Sequence, residues 1–295
     1  MKITTPKDIV LISSNIATDS DGYSEYSSIS TYAVNSYVIL TKEIDGITER
    51  FPHKIYKSLQ NGNTGKYPPD NLSWWQDEGG TNRYKMFDEF IDTQTVNPNS
   101  IDVVVNAFNC DKLALFNLDA IEIEITLTDM DFSTVVLSEI FDLSLGGGEY
   151  KKDIVVPLSV YPNAQLRVQI KNPSSNAKAG IIIIGYSEEI GTTQFGIKPG
   201  IIDYSIKSTN DYGQTILSVG AWAKDLDLEF QLEPWQLDFV YDILVEARGK
   251  NILIECNENG TDYEMLNLYG FFKSWKINLK NNVIFFGSAN YQGVI

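Results

Sequence analysis

The sequence predicts a mainly β protein: a small hairpin domain, an antiparallel β-sandwich of jelly-roll type, and a C-terminal α+β domain with one clear helix. Three observations carry this. Ile121, Ile123, Ile125 and Leu127 alternate with Glu122, Glu124 and Thr126, a period of two that puts the four apolar side chains on one face of a strand. Short β-prone segments of this kind recur between residues 101 and 189 at roughly ten-residue spacing, with Gly, Pro and Asn between them, as in antiparallel sandwiches. Residues 234–249 instead show a helical period, with Pro234 suited to a first turn and Gly249 to the position just past the end.

Taken in order, residues 1–30 read as an extended N-terminal arm. Residues 8–13 can form a short strand, but residues 14–30 are rich in Ser, Asp, Thr and Tyr and too polar to build a core alone. Such an arm is expected to be ordered by a neighbour or not at all, and to be dispensable for folding. Asp19, Asp21 and Glu25 have the spacing of a calcium loop, but the helical flanks and remaining ligand positions are missing, which leaves an ordinary turn.

The small domain, residues 31–92, opens with a hairpin whose strands flank Asp45-Gly46, a two-residue turn signal. Residues 56–88 then combine Trp, Tyr and two adjacent Pro with several Gly and Asn, a mixture that excludes a long helix or a long central strand. The sandwich, residues 93–190, holds the alternating strand, whose glutamates read as a solvated face. It also holds the flexible turn Gly146-Gly147-Gly148 and a strand at Ile181 to Ile184 that is buried on both faces. In the C-terminal domain, residues 191–295, strands surround the helix. Its Trp235, Leu237, Val240, Tyr241, Leu244 and Ala247 form a stripe expected to face the core.

Composition narrows the function classes. The formal charge of −16 and 23 scattered Lys and Arg residues exclude a nucleic-acid surface, which needs a clustered basic footprint. No apolar run is long enough to span a membrane as a helix, and the N-terminus lacks the apolar core of a secretory signal. The chain is therefore expected to fold in the cytoplasm where it is made. Cys110 and Cys256 read as buried thiols, not as a disulfide or a metal pair.

Tyr56, Ser58, Leu59, Gly62-Asn63-Thr64-Gly65 and Pro68-Pro69, followed by Trp74, then Thr81-Asn82-Arg83 and Met86-Phe87-Asp88, resemble a recurrent pattern of tailed-bacteriophage virion proteins of the tail tip and baseplate. Residues 193–213 and 268–272 resemble the C-terminal segment of the same family. The first of these blocks is also similar to the small chitin-binding type of carbohydrate-binding module. Tyr32 to Val38 stands at that module's first strand, Tyr56 to Ser58 at its second, and Pro68, Pro69, Trp74 and Trp75 at its third element. Asn35-Ser36 replaces the module's Gly-Asp turn, and residues 41–53 lengthen its hairpin.

The resemblance implies a structural virion protein of a tail, baseplate or collar that acts in a multi-copy assembly through interfaces with other virion proteins. Its alternative is a host-surface carbohydrate-binding module that stacks glycan on Tyr56, Tyr67, Trp74 and Trp75, which requires those rings to be exposed. Asn63, Gly65, Pro69, Asn82, Arg83 and Asp88 belong to the shared pattern as structural residues. Arg83 is expected to tie the small domain to the sandwich by bonding backbone carbonyls or a carboxylate. An enzyme is not expected. The single histidine, His53, has no nucleophile elbow nearby, no Gly-rich phosphate loop is present, and no metal or cofactor set is legible. A glycosidase could work with two carboxylates alone, but no spacing among the 39 acidic residues singles out a pair.

Overall fold

A computed structural model describes residues 1–18, 21–40, 53–129, 134–194, 196–256, 263–279 and 283–295. Asp19 of the supposed calcium loop, the Asp45-Gly46 turn and nearly all of the lengthened hairpin lie outside the described residues. The fold is mainly β, and its sheets are built from antiparallel pairs, as the period-two alternation predicts. One α-helix, Leu237–Ala247, is present among the described residues.

The largest unit is a ten-stranded sheet that curls into a half-barrel. Across it run Ile154–Pro157, Lys112–Phe116, Ile181–Glu189, Lys2–Pro6, Ile252–Glu255, Asn267–Asn278, Phe285–Gly293 and Trp222–Leu232. Thr192–Thr193 and Lys198–Asp203 both pair on the outer side of the last of these. A five-stranded sheet, ordered Val135–Asp142, Glu122–Thr128, Gln165–Ala179, Thr95–Asn106 and Leu11–Ser14, packs over one end of the large sheet.

Register decides what each face buries. Leu113 and Leu115 lie opposite Ile184 and Ile182, and these four meet Val103, Val105, Ile123, Ile125, Leu166 and Val168 of the five-stranded sheet to form the sandwich core. Ile3 is opposite Glu188 on one side and Ile254 on the other, so it shares the face of Ile184 and Ile182. There it packs under the helix, against Val240, Ile243 and Leu244. The same face of one sheet therefore carries the sandwich at one end and the helix at the other. The opposite face carries Ala114, Phe116, Ile181, Ile183, Leu253 and Tyr269.

The helix is preceded by a 3-10 turn, Pro234–Gln236, in which Glu233 and Gln236 form a reciprocal capping box. Beyond its end Gly249 takes a φ of +69°, the left-handed conformation that glycine adopts without a Cβ clash. The expected apolar stripe is corrected here. Val240, Ile243, Leu244 and Ala247 are buried, whereas Trp235 and Tyr241 are exposed. Only positions i, i+3, i+4 and i+7 of a helix lying on a sheet can face it, and Trp235 sits in the turn before the helix begins.

The division of the chain also differs from the sequence reading. Residues 1–30 are not an arm: Lys2–Pro6 pairs on both sides within the large sheet, Leu11–Ser14 edges the smaller sheet, and Ile16 lies in the sandwich core. Their polar side chains misled the reading because a strand is held by main-chain N–H and C=O groups, which every residue but proline supplies in full. Nor does residue 190 separate two sheets. Lys2–Pro6 joins Ile181–Glu189 to Ile252–Glu255, and across it Lys112 Nζ reaches Glu255 Oε1 at 2.9 Å in a mostly buried ion pair. Gly185 makes the junction possible, since a Cβ there would stand 2.4 Å from the Thr5 carbonyl oxygen.

Two outcomes follow for this strand. Ile3→Ala is expected to cost about 2–5 kcal/mol, with the transition staying single because sandwich and helix share the sheet. A chain lacking residues 1–30 is expected to aggregate. Circular dichroism and thermal melts check both, and a soluble truncated chain that melts like the full one would refute the central placement.

Candidate functional site

The aromatic block folds as a three-stranded sheet, Tyr37–Leu40, Lys54–Ser58 and Trp75–Gly80, beside the short pair Thr31–Tyr32 and Asn63–Thr64. Its core is Tyr26, Val38, Leu40, Tyr56 and Trp75. Trp75 is 1% exposed, its Nε1 donates to the Lys66 carbonyl at 2.7 Å, and Tyr26 and Tyr32 meet its ring edge to face at 5.9 and 5.2 Å. The loop that closes over it turns at Gly65, where φ is +64°, and at the 3-10 turn Pro68–Asp70, which contains Pro69. Asn63, fully buried, donates from Nδ2 to Ser58 Oγ at 3.0 Å and holds the loop to the sheet.

This corrects the glycan-stacking expectation. Tyr56 and Trp75 are interior packing residues and present no face to a sugar. Tyr67 is half-buried with its ring against Tyr26, and Trp74 is half-buried with the Lys66 ammonium 5.7 Å from its ring centroid. The four rings do not form a shared exposed platform.

The tie between small domain and sandwich also falls on a different residue from the one expected. Asn82 Nδ2 donates to the Val96 carbonyl, and the Val96 N–H donates to Asn82 Oδ1, both at 2.9 Å. Thr95 Oγ1 donates to the Asn82 carbonyl at 2.8 Å and accepts the Met86 N–H at 2.9 Å. One carboxamide thus completes an extra pair of ladder bonds on the strand Thr95–Asn106. Arg83 instead points back to the N-terminal segment, where Nη1 donates to Thr18 Oγ1 at 2.7 Å. Asp88 accepts the Phe90 N–H and the Thr93 hydroxyl, each at 2.8 Å, and so fixes the linker. Burial raises its carboxyl above the ordinary range.

His53 does not meet a nucleophile. It sits at φ +61° with its ring stacked on Tyr84, centroids 3.6 Å apart and planes 7° apart. Burial foremost, and then the Arg83 guanidinium, lower its pKa from 6.5, while Glu25 opposes them. Cys110 and Cys256 are both buried and unbridged, and burial pushes the Cys110 thiol up. Among the described residues no group of three or more His, Cys, Asp or Glu could hold a metal ion, and no helix is long and apolar enough to cross a membrane.

Three surface features went unmarked in the sequence. The first is a projecting finger. Lys198–Asp203, paired along the outer side of Trp222–Leu232, leads into a two-stranded hairpin, Ile206–Thr209 with Thr215–Ser218, turned at Asn210 and Gly213. Ile201, Ile206, Ile216 and Leu217 are exposed along it, and Tyr212 and Val219 are exposed by 90% and 91%. The second is a groove of about 500 Å³ beside the helix, lined by Leu237, Tyr241, Trp275 and Ile277 with Asp238. The third is a cavity of about 650 Å³ against the sheet face that carries Phe116 and Tyr269. Periodicity could not have found them, because an apolar residue alternating with polar ones looks the same whether its face meets a core or open solvent.

Asn82→Ala is expected to cost about 1–3 kcal/mol, since it orphans the Val96 amide and carbonyl, and Arg83→Ala to cost less. Urea unfolding of the two variants tests this, and the reverse ranking would place the tie on Arg83 after all. For His53 the folded pKa is depressed, so its contribution to stability is complete above about pH 6.5 and is lost as pH falls through the lower folded value. His53→Asn tolerates the left-handed backbone and does not titrate. Its melting temperature should fall less than that of the parent chain between about pH 7.5 and about pH 5.

No protein-family model matches the chain, and no curated protein matches it. Among solved structures, the chain is similar to a mutant of the lectin-binding domain of lectinolysin complexed with Lewis b, at 16% identity and a TM-score of 0.29, over 36% of this chain and 84% of that one. A likeness at that TM-score transfers neither fold nor ligand to this protein.

Proposed function

We propose that this chain is a structural subunit of a tailed-bacteriophage virion, in the tail, baseplate or collar, made in the host cytoplasm and acting through interfaces with other virion subunits rather than by catalysis. The sequence blocks around residues 56–88, 193–213 and 268–272 support the reading, and the projecting finger is the observation that carries it. An isolated two-stranded hairpin is marginal in water, and this one leaves apolar side chains exposed on both of its faces. Lys207 and Leu217 share one face, while Ile206, Ser208 and Ile216 share the other. A feature of that kind is stabilised by what it docks against, and subunit interfaces are where soluble proteins place such surface.

The groove beside the helix, lined mostly by apolar side chains, offers a seat for such a finger on another copy of the chain. A finger of one copy set in the groove of the next forms a head-to-tail contact, which closes into a ring or continues as a helical array. A stable contact of this type buries on the order of 1,200–2,000 Å² in total. The small domain, with its aromatic residues turned inward, serves as a rigid spacer on the sandwich.

Purified particles of the phage that encodes the chain are expected to contain it in multiple copies, detected by mass spectrometry and located by electron microscopy. The triple variant Ile206→Ser, Leu217→Ser, Val219→Ser should fold with an unchanged melting temperature and be left out of particles. Normal incorporation of that variant would refute the finger as the interface, and a chain found only outside particles would refute the virion reading itself.

A further inference from the structure

The cavity of about 650 Å³ falls within the roughly 300–1,000 Å³ typical of small-ligand sites, and neither the finger nor the groove uses it. Its floor is the face of the large sheet away from both cores, where Phe116 and Tyr269 stack with centroids 6.3 Å apart. Burial first, with help from Glu89, pushes the Tyr269 hydroxyl up to about 12, so the ring is a neutral phenol in ordinary conditions. Above the floor stand two more rings, Trp222 from the base of the finger and Tyr150 from the hairpin of Ser144–Gly146 with Glu149–Tyr150. They are exposed by 55% and 40%, in contrast to the sealed Trp75 of the small domain.

The charges of the cavity discriminate among ligand classes. Lys224 Nζ is 2.6 Å from Asp153 Oδ2 and donates to the carbonyls of Glu264 and Asn267 at 3.2 and 3.3 Å. An ammonium has three donors, and these three acceptors use them, so Lys224 is not available to bind a phosphate or carboxylate. The other charged side chains lining the cavity are Asp92, Glu264 and Lys152, two carboxylates and one ammonium. The site therefore offers flat apolar rings and a mixed polar rim without a net positive field. A purely apolar ligand would leave that rim desolvated, and an anionic one would meet a lysine already occupied.

We propose that this cavity binds a saccharide, and specifically a neutral one, with the exposed ring of Trp222 as its stacking platform. A neutral pyranose has an apolar C–H face that covers an indole ring and a border of hydroxyls that both donate and accept, which is the pattern the cavity presents. Tyr150 flanks the bound ring, and Asp92 and Lys152 lie within the rim that its hydroxyls meet. This site does not depend on the assembly role, and it is separate from the buried aromatic residues of the small domain.

The test is saturation-transfer NMR and calorimetry on the full chain with a panel of neutral oligosaccharides built on glucose, galactose or N-acetylglucosamine, alongside sialylated and uronic-acid oligosaccharides. At least one neutral sugar is expected to bind, with affinity reduced roughly tenfold by Trp222→Ala and largely retained by Trp222→Tyr. Because Trp222 is exposed, both variants should melt like the parent, and Trp235→Ala, in the turn before the helix and outside the cavity lining, should bind as the parent does. Absence of binding to every neutral sugar, preference for the acidic ones, or binding indifferent to Trp222→Ala would each overturn the proposal.

Discussion

The structure depends on one short strand held between two others. Lys2–Pro6 supplies hydrogen bonds to Ile181–Glu189 on one side and to Ile252–Glu255 on the other, and without it the large sheet would be two sheets with two open edges. Gly185 lets the strand approach, and the Lys112–Glu255 pair spans it. A buried ion pair of this kind contributes little net stability against its desolvation, but it penalises a register in which the charges do not meet. The sandwich and the helix layer are coupled because their cores lie on one face of a continuous sheet.

The small domain obeys a different economy of contacts. It has too few residues for a layered core, so its interior is built from rings, with Tyr26, Tyr32, Tyr56 and Trp75 meeting at edges and faces. Trp75 reaches its hydrogen-bond partner inside the domain, at the Lys66 carbonyl, which lets a large polar-tipped ring be buried at low cost. Those rings are consumed by packing against one another. The paired amide bonds of Asn82 to Val96 join the domain to the strand Thr95–Asn106 of the sandwich.

What remains exposed is concentrated in the C-terminal half. The finger, the groove and the cavity all draw residues from around or beyond the strand Trp222–Leu232, on whose outer side Thr192–Thr193 and Lys198–Asp203 pair. An edge strand is where a sheet protein can add a hairpin without disturbing its core, since each added residue costs only its own ordering. At the first position of its strand Trp222 is exposed and lines the cavity, while Ala223, Leu226, Leu228 and Phe230 along the strand remain buried.

Much of this was legible in the residues themselves. The alternation of Ile121 to Leu127, the run Ile181 to Ile184, the Pro234 to Gly249 punctuation and the glycines of the 146–148 turn, all three at positive φ, are local signals, and local backbone physics honours them. The aromatic block likewise announced a compact loop-built domain. Tertiary structure alone decided that a polar N-terminus forms a central strand, that Trp75 faces inward while Trp222 faces outward, and that Asn82 rather than Arg83 bonds the sandwich. The physical reason is the same in each case. Period and composition state which side chains share a face, but whether that face meets a core, a cavity or water depends on strands far away in the chain. Lys2–Pro6 finds its two partners only after some 180 and 250 residues of intervening sequence.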